Sequence, residues 1–475
     1  MIDDKPHDEC GVVGVFKKES KAAQIAAFAL YALQHRGQES AGIASSDGES
    51  LYIQTGMGLV SNVFTPESLS GLLGEMAVGH TRYSTTGSSR LINAQPFWVT
   101  GANGDLALAH NGNLINAVEL RDNLENNWDT SFSSSTDSEV LAYTLANAPG
   151  KNWEERMSHC MRNLKGAFSV VVQTKDALLA FKDPLGIRPL CLGKLDEGWM
   201  VASESAAIDL VGGEFIRELK AGETVIIDDH GVHSFIWPGR DDREALCVFE
   251  LIYFSRPDSI LAGSRIYLQR RSMGARLARE YPVEADLVIG IPDSATAAAM
   301  GYSEESGIPY SDGLIRNRYV GRTFIEPDQK TREADVKIKF NTLPEMIKGK
   351  RLVVVDDSIV RATTTPLVID MLRRAGAKEI HMRVCAPPIR WPCHFGVDMA
   401  TRKELVAANH SEESICELIG ADSLGYLSIK GLLEVNADKG EGFCHACFSG
   451  DYPIPIQLEL DKMTLEDRKP RGGHF

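Results

Sequence analysis

The chain has 475 residues, with 50 Lys and Arg against 65 Asp and Glu, a formal charge of −15. This length holds two or three domains, each large enough for its own core, which excludes a small disulfide-stapled scaffold. At 43% hydrophobic and 24% charged residues it is too apolar for a disordered chain, and its acidity argues against a general nucleic-acid binder while leaving room for a local phosphate pocket.

Residues 1–9 are acidic and lack the basic flank and apolar core of a secretory signal, so export is not expected. No window approaches the roughly 18 to 20 uninterrupted apolar residues that span a bilayer; a cytoplasmic protein without a membrane partner is expected. Nine cysteines, an odd number, fit reduced thiols, a metal site or a catalytic thiol better than a disulfide framework.

Cys10 opens an apolar strand that runs to Phe16, and Ala, Ile and Leu at helical spacing over 21–34 predict a helix. Short apolar runs broken by Gly, Asn, Asp and Ser follow, which predicts strand-rich α+β layers. Residues 237–244 are polar and marked by Pro238 and Gly239, so the boundary is placed there, giving domains of 10–240 and 241–461. Beyond it, apolar strands at 286–290, 351–355 and 379–384 alternate with amphipathic stretches, which predicts a parallel α/β sheet. Residues 462–475, charged and carrying Pro470 and Gly472, read as a mobile tail.

Four polar clusters interrupt the first half: Gly79-His80-Thr81-Arg82, Ala109-His110-Asn111-Gly112-Asn113, Thr136-Asp137-Ser138-Glu139 and Asp183-Pro184-Leu185-Gly186-Ile187-Arg188. Singly, each has a plain reading: Cys10 as a buried thiol, Asn111-Gly112 as a tight turn, Arg82 and Asp137 as surface charges. Together they resemble the class II glutamine amidotransferases, whose N-terminal nucleophile (Ntn) domain, an αββα sandwich, hydrolyses glutamine to glutamate and ammonia. The resemblance implies that residues 1–9 are a propeptide cut between Glu9 and Cys10. The freed α-amine, with a reference pKa of about 7.7–8.0, then takes the thiol proton. It also implies Cys10 as nucleophile, Asn111 and the Gly112 N–H as oxyanion hole, Arg82 on the glutamine carboxylate and Asp137 on its ammonium.

In the second half an apolar strand ends in Asp356-Asp357, followed by Ser358-Ile359-Val360-Arg361-Ala362-Thr363-Thr364 and an amphipathic stretch over 366–374. Ligands sit at the carboxyl ends of parallel strands, where adjacent acids bind ribose hydroxyls and loop N–H groups cradle phosphate. The Asp pair alone reads as a helix cap or a solvent-facing pair. The full stretch resembles the 5-phosphoribosyl-1-pyrophosphate (PRPP) motif of type I phosphoribosyltransferases, a parallel α/β fold. Position 362 departs from the Gly expected there, at a cost of about 1 kcal/mol if its φ is positive. Asp293-Ser294-Ala295 resembles that family's pyrophosphate loop, so Ser294, Asp356 and Asp357 are expected to contact one Mg²⁺ per subunit. The stretch from Asn317 to Lys339 resembles its flexible loop, with Arg322 and Lys337 expected on the pyrophosphate.

Cys444 and Cys447 form a C-x₂-C pair, and Cys247 and Cys393 sit in suggestive settings; spacing alone allows zinc or iron–sulfur, or simple burial of Cys247. Motifs of both halves, in this order, resemble the amidophosphoribosyltransferase family in its leader-cleaved branch. That resemblance implies one structural [4Fe–4S] cluster per subunit on Cys247, Cys393, Cys444 and Cys447. Cys160, Cys191, Cys385 and Cys416 are left as ordinary buried thiols. It further implies the first committed step of purine synthesis, in which glutamine, PRPP and water give 5-phospho-β-D-ribosylamine, glutamate and pyrophosphate. Ammonia would pass between the sites, purine nucleotides would inhibit, and the assembly would be a homotetramer. An amidotransferase feeding a sugar isomerase or a ligase is disfavoured by the 356–364 loop. A PRPP-responsive regulator of nucleic acid is disfavoured by the −15 charge and the complete glutaminase set.

Overall fold

The computed structural model describes residues 10–18, 21–83, 88–128, 130–240, 242–317, 339–399, 401–436 and 442–456. The run Gly11–Lys17 is apolar on both sides because it lies in the middle of two layers of core. Val12 and Phe16 face one side and Val13 and Val15 the other, the period-two alternation of a strand. It is the central strand of a seven-stranded antiparallel sheet ordered 214–218, 191–195, 198–202, 11–17, 76–82, 40–46, 51–57. A second antiparallel sheet runs 231–236, 223–228, 178–182, 166–173, 104–114, 97–101.

The two sheets close on each other over Val12, Val78, Ala109, Val171 and Val225. Helix Ala22–Ala32, shorter than its sequence pattern, covers the outer face of the first sheet. Helices Asp137–Ala146 and Trp153–Asn163 cover the second. The layers are therefore α, β, β, α.

The second half is a four-stranded parallel sheet: Leu287–Gly290, Arg351–Asp356, Glu379–Val384, Ser423–Tyr426, in that order. Leu352 and Val354 pack with helices Thr365–Arg374 and Glu412–Ile419. Val353 and Val355 pack on the opposite side, with helices Ile266–Glu280 and Thr296–Ser306. Helices on both faces account for strands without polar alternation.

The two halves are joined by more than the linker. Leu246–Cys247 pairs in parallel with Phe443–Cys444, and Ala167 and Ile187 of the first half belong to the apolar core of the second. Among the described residues no helix is long and apolar enough to cross a membrane.

Candidate functional site

Cys10 sits just ahead of the central strand, 5% exposed, with its Sγ donating to the Tyr83 carbonyl at 3.4 Å. It shares a narrow pocket with Arg82, Gln95, His110, Gly112, Thr136 and Asp137. Burial pushes the Cys10 thiol up to about 11, although the Tyr83 hydrogen bond and the Arg82 charge pull the other way. A thiol so held does not ionise by itself at neutral pH; it needs a proton acceptor beside it.

Arg82 ends the strand Met76–Arg82, its Nη1 donating to the Ser88 carbonyl at 3.2 Å and lying 3.6 Å from Glu39. Asp137 begins helix Asp137–Ala146, and its Oδ2 accepts from the Leu114 N–H at 2.9 Å. Asn111 is 1% exposed, and neither its amide nitrogen nor its oxygen has a hydrogen-bond partner. A buried amide without a partner costs about 1–3 kcal/mol. Two buried histidines stand here, His110 in the pocket wall and His80 with its Nε2 on the His110 carbonyl. Burial and Arg82 hold His80 down to about 3, and burial lowers His110, so both stay neutral.

The second site lies where two adjacent parallel strands end. Strand Arg351–Asp356 delivers Asp356 and Asp357, 4% and 2% exposed, and the neighbouring strand Leu287–Gly290 delivers Ser294 through its following loop. Ser294 Oγ donates to Asp357 Oδ2 at 2.5 Å, while the other oxygen of Asp357 accepts from Ser358 Oγ at 2.7 Å. Asp356 Oδ1 takes the Asp357 N–H at 2.8 Å. Ser358, Ile359 and Val360 are buried, Arg361 lies 3.7 Å from Glu404, and Thr363 and Thr364 lead into helix Thr365–Arg374. Ala362 has φ +55°, in the left-handed region where Gly is the unstrained residue. Carboxylate and hydroxyl oxygens are the hard donors Mg²⁺ takes, usually with substrate phosphates completing its shell. Arg322 and Lys337 lie outside the described residues, as do residues 1–9 and 457–475.

Cys247 and Cys444 face each other in the parallel pair, and Cys247, Cys393, Cys444 and Cys447 all lie at the core joining the halves, none in a disulfide. Burial pushes Cys247 up to about 11 and Cys444 and Cys447 higher, with the other thiols of the set adding to each shift. A cationic metal group bound there would reverse the upward shifts of Cys247, Cys444 and Cys447 by stabilising their thiolates. Among the described residues no three His, Cys, Asp or Glu side chains are grouped to hold a single metal ion. Cys160, Cys191 and Cys385 are buried as expected; Cys416, on a helix at the sheet edge, is partly exposed instead.

Sequence reasoning assigned no role to several residues that frame these sites. Gln95 Oε1 accepts from the His110 N–H at 2.8 Å and its Nε2 donates to Ser138, which also meets His110 Nδ1 at 3.0 Å. His110 and Ser138 lie inside the motifs quoted above, so only Gln95 gave no signal. Arg188 donates to the Phe395 carbonyl across the two halves, a pairing no local pattern reveals.

A pocket gathering a buried cysteine with Arg82, Gly112 and Asp137, and a strand-end loop of acids and hydroxyls, together define a two-domain glutamine amidotransferase. A glutamine amidotransferase domain model matches residues 80–210 and a phosphoribosyl transferase domain model residues 257–390. The chain is 47% identical to an amidophosphoribosyltransferase of Synechococcus elongatus, covering 97% of this chain and 94% of that one. It is 48% identical to one of Archaeoglobus fulgidus, over 95% and 99%. Among solved structures it superposes on glutamine PRPP amidotransferase from B. subtilis complexed with ADP and GMP, with TM-score 0.88 and 44% identity over 95% and 98% of the two chains. It likewise superposes on an allosteric regulatory enzyme of purine biosynthesis, with TM-score 0.89 and 44% identity over 95% and 97%. The chain belongs to the amidophosphoribosyltransferase family.

Proposed function

We propose that this enzyme carries out the first step of purine synthesis, making 5-phospho-β-D-ribosylamine, glutamate and pyrophosphate from glutamine, PRPP and water. Its domains divide at 240/241, and removal of residues 1–9 frees the Cys10 α-amine. That amine takes the thiol proton, while burial makes His110, the histidine of the pocket, a weaker base. The thiolate attacks the glutamine amide carbon, the amide nitrogen takes the proton back from the α-ammonium and leaves as ammonia, and water then hydrolyses the Cys10 thioester to glutamate and the free thiol. Arg82 grips the substrate carboxylate, Asp137 the ammonium, and Asn111 Nδ2 with the Gly112 N–H receives the developing oxyanion.

Ammonia reaches the second site and displaces pyrophosphate at the ribose C1. The loop from Asp356 to Thr364 holds sugar and phosphate, and Arg322 and Lys337 contact the pyrophosphate. Ser294, Asp356 and Asp357 would hold Mg²⁺, which neutralises phosphate charge when bound. Cys247, Cys393, Cys444 and Cys447 would hold a [4Fe–4S] cluster that cross-links the halves. The assembly is a cytoplasmic homotetramer inhibited by purine nucleotides; the B. subtilis relative's complex with ADP and GMP supports the latter.

The observation that carries the reading is the pocket that gathers Cys10 with Arg82, Gly112 and Asp137. Its test is product stoichiometry: glutamate and pyrophosphate released one for one from glutamine, PRPP and Mg²⁺. Glutamate without pyrophosphate would move the acceptor elsewhere.

A further inference from the structure

The residue next to the unpaired amide, Gly112, is held from both sides. Its φ is +145°, and a Cβ there would lie 2.0 Å from the Ala167 carbonyl oxygen on the neighbouring strand of its own sheet. On its other side stands Gly396, from the second half of the chain. A Cβ on Gly396, whose φ is +100°, would lie 2.9 Å from the Gly112 carbonyl carbon, 3.0 Å from its Cα and 3.1 Å from its oxygen. Two backbones meet here with no room for a side chain on either.

The approach is tied down around that contact. Asn113 Nδ2 donates to the His394 carbonyl at 3.0 Å. Arg188, fully buried, donates Nε to the Phe395 carbonyl at 2.9 Å and a second donor, Nη2, to the same oxygen. Phe395 is 2% exposed, and its N–H donates to Cys393 Sγ at 3.3 Å. Tyr452 closes the segment from outside, its ring against His394 and Phe395 and its hydroxyl donating to the Pro392 carbonyl at 2.6 Å. Residues 393–396 are thus tied to the strand that carries Asn111 and Gly112 through Asn113, and to another part of the first half through Arg188.

We propose that residues 393–396 form the outer wall of the oxyanion hole, so that the hole is completed by the phosphoribosyl half. Gly396 is then a positioning residue for glutamine hydrolysis, acting through Gly112. The inference rests on the reading of Asn111 and Gly112 given above and adds what holds them in place. A peptide N–H stabilises a developing oxyanion only when aimed at it, and a displacement of the order of 1 Å costs about 10²-fold.

The test is Gly396→Ala in the full-length, leader-cleaved enzyme. Glutamine-dependent kcat is expected to fall about 10²-fold with KM for glutamine little changed. Ammonia-dependent phosphoribosylamine synthesis, iron content and the rate of Cys10 alkylation by iodoacetamide are expected to stay as in the parent. Asn113→Ala, which removes one tether and adds no atom, is expected to act in the same direction by about tenfold. Unchanged glutamine kcat in both variants overturns the proposal, and so does an equal loss of the glutamine and ammonia reactions. Asn111→Ala separates the two levels. If it retains glutaminase activity the site reading itself falls; if it is inactive while Gly396→Ala is not, only the wall falls.

Discussion

Arg36 Nη2 lies 2.5 Å from Glu250 Oε2, and neither side chain has any exposed surface. The same guanidinium gives Nε to Glu204 Oε1 at 2.5 Å, and Glu204 also receives Ser259 Oγ and the Arg256 N–H. Burial works against the Arg36 charge, but Glu250 and Glu204 more than offset it and hold its pKa above the usual arginine value. One arginine of the first half thereby clamps the segment that opens the second. Arg36→Met leaves two buried carboxylates short of a partner and should cost about 3–5 kcal/mol, read as a lowered thermal midpoint. Arg36→Lys keeps the charge without the planar fork and should recover only part. Parent-like stability in Arg36→Met would contradict the clamp.

The two sites should separate by mutation. Cys10→Ala should abolish glutamate release while ammonia-dependent synthesis continues, because the second site needs only the amine. Asp356→Asn should do the reverse, raising KM for PRPP about 10- to 100-fold while basal glutaminase persists, as loss of a charged hydrogen-bond partner implies. Kinetics with each nitrogen source check both; loss of both reactions in Cys10→Ala would contradict two sites.

Ala362 carries left-handed backbone in the PRPP loop. Ala362→Gly removes a strain of about 1 kcal/mol but adds freedom to the unfolded chain, so the net gain should be below about 1 kcal/mol. Ala362→Val, branched and bulkier at the same φ, should destabilise and weaken PRPP binding. Equal thermal midpoints and PRPP KM for Gly and Val would mean that the left-handed conformation is absent in solution.

The acid limb of stability should carry His80, buried against His110 of the glutamine pocket. His80 is held down to about 3 by burial, with the Arg82 charge adding to it and the hydrogen bond to the His110 carbonyl opposing it. Above its ordinary value of 6.5 neither the folded nor the unfolded chain protonates it, so its contribution is fully present. As pH falls from 6.5 toward 3 the unfolded chain takes a proton that the folded chain refuses, and stability is lost. Replacing it, as in His80→Gln, should flatten unfolding free energy against pH in that window. An unchanged slope would contradict a neutral buried His80.

What the sequence made legible is what lies together along it. Asp356 to Thr364 is one strand end and one loop, so its chemistry reads from consecutive residues, and the glutaminase motifs each occupy a few adjacent positions. Ala362 stands where Gly is expected, but whether the replacement matters depends on a φ that only the fold supplies. Contacts across the chain left no trace. Arg36 with Glu250, Arg188 with Phe395 and Gly396 with Gly112 are separated by roughly two hundred residues or more, and a lone arginine or glycine carries no periodic signal. Of the cysteines, the C-x₂-C pair was local, while the facing of Cys247 and Cys444 depends on a parallel strand pair that no sequence window contains.

The central claim is that one chain joins a glutaminase to a PRPP site. It is tested most directly by glutamate release from glutamine, measured on anaerobically purified protein with and without PRPP and Mg²⁺. The account predicts strong stimulation by PRPP, since ammonia is made for use at the second site. Release indifferent to PRPP would contradict it.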